Sequence, residues 1–112
     1  MNFYDKIHEL TRSFKETEEY KQFIELKNRI KLNEDDYSKL KEFKEKQAKQ
    51  QVEYMTKGNA DEATQKELEN LYSILVQKED IRKLLENEMR LNIMLADMQK
   101  IMGETVKEIV EF

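Results

Sequence analysis

Asp5 and His8 stand three residues apart in "YDKIHEL", a spacing that puts a carboxylate and an imidazole on one face of a helix. Such a pair is half of the ligand set of a di-iron carboxylate bundle, which needs a second pair and further Glu ligands. His8 is the single His of the chain, so no second pair exists, and His8 is expected as an exposed or half-buried surface residue. Ser13, Ser38 and Ser73 lie in ordinary helical context with no evident base beside them, which gives no nucleophile. The two Gly are isolated and form no phosphate-cradling loop. With no Cys there is no disulfide, thiolate-held zinc or Cys-ligated iron–sulfur cluster. The expectation is a chain that is not an enzyme and takes no cofactor or metal.

Two other groups could act by binding. Lys39, Lys41, Lys44, Lys46 and Lys49 in "SKLKEFKEKQAKQQ" could give one helix a basic face for RNA or an acidic partner. Glu42 and Glu45 interrupt them, and Glu–Lys pairs at helical spacing are ordinary on solvated surfaces. The solvated face is the favoured reading, with an RNA-associated factor as the alternative. The second group is apolar, in "LLENEMRLNIMLADMQKIM". Leu84, Leu91, Leu95, Met98, Met102, Val106 and Ile109 make one continuous stripe, expected to pack inside the molecule. Met89, Ile93, Met94 and Ile101 fall on other sides of the same helix at about 100° per residue. Methionine suits adaptable binding surfaces, and contiguous exposed apolar surface marks an interaction site. These four are expected to form a self-association interface, giving a homodimer or higher homo-oligomer.

The elements that carry these groups follow from periodicity. A first helix over about Phe3–Lys15 presents Tyr4, Ile7, Leu10 or Thr11, and Phe14. Thr17, with Glu18 and Glu19 after it, reads as the N-cap of a second helix reaching about Lys31, with Tyr20, Phe23, Ile24, Lys27 and Ile30 on one side. Asn33 with Asp36 opens a third helix to about Lys57, its seam running through Tyr37, Leu40, Phe43, Gln47, Gln51 and Tyr54. Gly58 is placed to end it in the left-handed conformation. Asn59 or Asp61 caps a fourth helix with Leu68, Leu71, Tyr72 and Leu75. A fifth starts near Asp80 and runs almost to the C-terminus, with a distortion expected at Gly103. At about 1.5 Å per residue the third and fifth helices measure roughly 35 and 45 Å. That length predicts an elongated all-α bundle of about five helices in a single domain, residues 1–112.

Composition agrees. Charged residues make up 39% of the 112, there is no Pro, and the net charge is −4, so no overall basic field invites nucleic acid. A mean hydropathy of −0.92 borders on that of disordered chains, but the helical spacing of the apolar residues argues for a folded one. "MNFYDKIHEL" carries charges where a signal peptide has an apolar core, and no run approaches about 18 apolar residues. A soluble cytoplasmic protein with no membrane contact is expected.

Several strings resemble the YlbF/YmcA family of small helical bacterial proteins, nearest to its YheA-like branch. They are "YDKIHELTRSFKETEEYKQF", "NEDDYSKLKEFKEKQ" and "LLENEMRLNIMLADMQKIM", the last with Glu88, Arg90 and Leu91 matching a Glu-x-Arg-Leu pattern. The resemblance covers essentially the whole chain through the order and spacing of these strings. It implies an all-α, self-associating, non-enzymatic cytoplasmic regulator that acts with other proteins. It also implies a link to ribonuclease Y–dependent mRNA processing and, through it, to competence, sporulation and biofilm formation. Some branches hold a Cys-ligated iron–sulfur cluster, which this sequence has no Cys to bind.

Overall fold

A computed structural model describes residues 2–112, and they form five α-helices with no strand among the described residues. The helices are α1 (Phe3–Lys15), α2 (Glu18–Lys31), α3 (Glu34–Lys57), α4 (Glu62–Leu75) and α5 (Glu79–Val110). The chain is all-α, with a long C-terminal helix.

Short polar side chains set the boundaries. Asn2 Oδ1 accepts the Asp5 N–H at 2.9 Å and opens α1. Thr17 serves two helices, since its hydroxyl donates to the Phe14 carbonyl at 2.7 Å and accepts the Tyr20 N–H at 3.3 Å. Asn33 Oδ1 takes the Asp36 N–H at 3.1 Å, and Asp61 Oδ1 takes the Ala63 N–H at 3.2 Å. Each satisfies a donor that the first helical turn leaves without an intrahelical acceptor. Gly58, at φ 77°, ends α3 by donating its N–H to the Tyr54 carbonyl. A distortion was expected at Gly103, yet α5 runs through it as regular helix. A helical Gly costs only about 1 kcal/mol relative to Ala, which the good helix formers around it offset.

The chain divides into two compact units, one of residues 25–84 and one made of the segment ending at Ile24 together with Leu85–Phe112. In the 25–84 unit the buried apolar side chains are Leu26, Ile30, Phe43, Leu68, Leu75, Ile81 and Leu84. Here α3 packs on α4. The rings of Phe43 and Tyr72 lie 5.9 Å apart, and Lys46 Nζ reaches Glu67 Oε2 at 2.8 Å. Across the turn the Asp61 N–H donates to Glu53 Oε2, and Arg29 of α2 pairs with Asp80 at the start of α5. The expected side of α2 needs correction: Leu26 and Ile30 are buried, Phe23 and Ile24 half-buried, and Lys27 exposed. Positions 23, 26 and 30 share a face at steps of three and four, and the lysine ammonium stays in water at its margin. On α3 only Phe43 of the expected seam is buried; Gln47, Gln51 and Tyr54 are exposed. In the second unit α1 has no buried residue, and Leu91 is the one fully buried apolar side chain among the described residues.

Two substitutions separate backbone from core effects. No atom lies within 4 Å of a Cβ built on Gly58, so Gly58→Ala meets no clash and is destabilised by left-handed strain alone, about 1–2 kcal/mol. Leu75, 1% exposed, leaves a cavity when cut to Ala, at a cost of about 2–5 kcal/mol. Urea denaturation followed by circular dichroism should rank Leu75→Ala well below Gly58→Ala. A third expectation concerns pH. The hydrogen bond to Glu67, with the Glu42 carboxylate also near, raises the Lys46 pKa above its ordinary 10.5. This ammonium therefore favours the fold at all pH below 10.5, and the contribution disappears as pH rises through the higher folded value. Melting temperatures of the parent and Lys46→Met should differ by a small amount at neutral pH, because the pair is exposed, and converge at strongly alkaline pH.

Candidate functional site

The α1–α5 unit holds an apolar concavity. A groove of about 490 Å³ runs between α1 and α5, lined by Ile7, Leu10, Thr11, Ser13, Phe14 and Thr17 on one wall and Met94, Leu95, Met98 and Met102 on the other. Its threonines are turned inward on their own backbone: Thr11 Oγ1 donates to the Ile7 carbonyl at 3.1 Å, as Thr17 Oγ1 does to that of Phe14. Phe14 is braced edge-on by Tyr20, ring centroids 5.7 Å apart. Three thioethers on a helix wall give a lining that can repack around different apolar shapes. The groove suits an apolar side-chain row from another helix better than a polar small molecule.

The stripe residues of α5 do not share one environment. Leu84 and Leu91 are buried, and Leu95 and Met98 are half-buried at the groove. Met102, Val106 and Ile109, expected inside, are 52%, 51% and 70% exposed in the single chain, Met102 while lining the groove. Of the residues expected at a self-association surface, Met89, Ile93 and Ile101 are exposed, while Met94 is half-buried as part of the groove wall. The structure therefore brings Met94 together with Leu95, Met98 and Met102 and leaves Met89 and Ile93 apart. Sequence reading missed the α1 wall as a site, although the signal was present: Ile7, Leu10 and Phe14 form a narrow stripe on a helix with charge all around it.

Asn87 was also missed. It is buried on α5, and its Oδ1 has no hydrogen-bond partner, a loss that costs about 1–3 kcal/mol for a neutral acceptor.

The lysines of α3 are engaged with neighbours. Lys39 pairs with Asp35 at 3.1 Å, Lys46 with Glu67 and Glu42, and the Lys41 ammonium lies 5.7 Å from the centre of the Tyr37 ring. Between α3 and α4 is a smaller hollow of about 210 Å³, lined by Phe43, Gln47, Gln50, Leu68, Glu69 and Tyr72. His8 is exposed, and no group of three or more His, Asp or Glu that could hold a metal occurs among the described residues. No helix of the described residues is long and apolar enough to cross a membrane.

Comparison with known proteins adds to this geometry. The chain is 34% identical over 110 residues to a UPF0342 protein of Desulfitobacterium hafniense, covering 98% of this chain and 89% of the relative. It is 32% identical to a UPF0342 protein of Clostridium novyi, covering 96% and 95%. A UPF0342 protein of Symbiobacterium thermophilum is 36% identical, with 92% of each chain covered. No solved structure matches. Residues 3–107 match the family described as "Control of competence regulator ComK, YlbF/YmcA". With nearly its whole length matched, the chain belongs to the YlbF/YmcA family, whose description is that of a regulator.

Proposed function

We propose that this protein is a non-enzymatic helical adaptor that regulates through contacts with copies of itself and with other proteins. The observation that carries the reading is the apolar surface of α5, where Met89, Ile93 and Ile101 are 61%, 56% and 70% exposed on a helix that also supplies the Met94 wall of an open groove. Apolar surface left open along one helix is costly in water and is recovered by association. Self-association thus draws on Met89, Ile93, Met94 and Ile101, in a homodimer or higher homo-oligomer.

The family description names control of the competence regulator ComK. We extend a role of that kind to this chain, in competence, sporulation or biofilm formation through mRNA processing, in the cytoplasm and with other regulatory proteins as partners. The lysine pairs of α3 favour protein contacts over RNA, because carboxylates already neutralise Lys39 and Lys46.

Analytical ultracentrifugation of the full chain across a concentration series tests the reading. The parent should self-associate reversibly. Met94→Lys puts an ammonium into a dehydrated contact, which is disfavoured by several kcal/mol. Its dimer affinity should fall by orders of magnitude, at about 1.4 kcal/mol per tenfold, with helicity by circular dichroism largely kept. A parent that stays monomeric at high concentration, or salt-sensitive RNA binding lost in a combined Lys41→Gln, Lys44→Gln and Lys46→Gln variant, would overturn it.

A further inference from the structure

We infer that the α1–α5 groove is the seat of the distal α5 of a second copy, the two α5 helices pairing antiparallel about a two-fold axis at Met102. The inference rests on the self-association reading and assigns its register. Its first support is the spacing of the stripe Leu91, Leu95, Met98, Met102, Val106 and Ile109. Counted from Met102, apolar residues come at four and seven positions in both directions. A two-fold interface must be self-complementary, and an antiparallel pair centred on Met102 is. Met98 stands level with Val106 of the second copy and Leu95 with its Ile109.

Burial gives the second support. Leu95 and Met98 in the groove are half-buried, whereas the distal half of the stripe, from Met102 at the groove wall to Ile109, is exposed in its own chain. Each copy thus offers a walled groove and an uncovered apolar helix end, and two copies exchange them. Ile7 and Leu10 of α1, both exposed in the single chain, form the outer wall against the inserted helix. Area agrees. Leu91 to Val110 extends about 30 Å. Two helices side by side are about 20 Å wide, so the face projects roughly 600 Å², and more when contoured, against about 800 Å² per partner in a standard interface.

Gly103 is the third. It lies inside regular helix, and no atom comes within 4 Å of where its Cβ would be, so nothing in the single chain requires a glycine. Next to the proposed crossing point, about 100° around the helix from Met102, it removes a side chain at the border of the contact. Met89 and Ile93 lie on the far side of α5, Ile93 half a turn from Met102 at about 100° per residue. Of the four residues assigned above to self-association, this register therefore keeps Met94 and Ile101 at the border of the two-fold pairing and leaves Met89 and Ile93 to contacts beyond the dimer, in a higher homo-oligomer or with another protein.

The test uses the cysteine-free chain. Helix axes about 8–10 Å apart, with Cα atoms about 2.3 Å off axis, leave roughly 3.4–5.4 Å between the two Met102 Cα atoms, the upper part of which a disulfide spans. Mild oxidation should therefore convert Met102→Cys to a covalent dimer and leave Ile93→Cys monomeric under denaturing electrophoresis. In ultracentrifugation Val106→Lys should weaken dimerisation by roughly 100-fold or more, and Ile93→Lys should leave it within a few-fold of the parent. If the parent dimerises but Ile93→Cys cross-links and Val106→Lys has no effect, this register is overturned and the self-association reading stands. A parent monomeric at high concentration overturns both.

Discussion

Burial of apolar surface is shared unevenly along this chain, and the rest of the structure depends on that. Of eight fully buried apolar side chains among the described residues, seven belong to residues 25–84. That unit desolvates Leu75 and Ile81 almost completely and closes its helix ends with caps and short ion pairs. The unit of α1 and the rest of α5 buries Leu91 and little else, although its helices carry as regular an apolar spacing. Burying a side chain such as Leu yields about 1.5–3 kcal/mol, so the α1–α5 unit is held in its own chain far more weakly than its sequence provides for. Its open groove and uncovered helix end are one fact seen from two sides.

Much of the architecture was legible because its determinants are local. A capping oxygen acts within three residues of itself, so Thr17, Asn33 and Asp61 could be read without tertiary context, and Gly58 is the residue that a left-handed C-terminus demands. Burial is less legible because it depends on which helix arrives from elsewhere. Leu26 and Ile81 could be placed only once α2 and the start of α5 were seen in the same compact unit. On α3 the expected seam was right at Phe43 and failed at Tyr54, because α4 covers only part of a 24-residue helix. The α5 stripe, expected to pack inside, is exposed at its distal end in the single chain. Periodicity reports that a face is apolar but does not say whose atoms cover it.

Charge explains why so little of the surface is functional in the chemical sense. Carboxylates and ammonium groups alternate at helical spacing, as in Lys83 with Glu79 at 2.9 Å and Lys39 with Asp35. The Lys83 hydrogen bond holds the Glu79 carboxyl below its usual pKa, the mark of a neutralised pair. Exposed pairs of this kind contribute little to stability. Their effect is on solubility and on partner choice: they leave no extended field of one sign, so attraction over a distance is weak and recognition falls to shape and apolar contact. Three of the methionines stand on one wall of the groove.

On the pairing we propose, association becomes part of folding for the α1–α5 unit. A species that binds only the folded state stabilises it in proportion to the logarithm of its concentration, and in the proposed dimer a second copy would act in this way on that unit. The 25–84 unit, with its own core, would gain nothing comparable. The order of α1 and of the distal turns of α5 would then be tied to how much protein, or what competing apolar helix, is present. A regulator needs such a dependence, and here it arises from apolar spacing continued along α5 beyond the helices available to cover it.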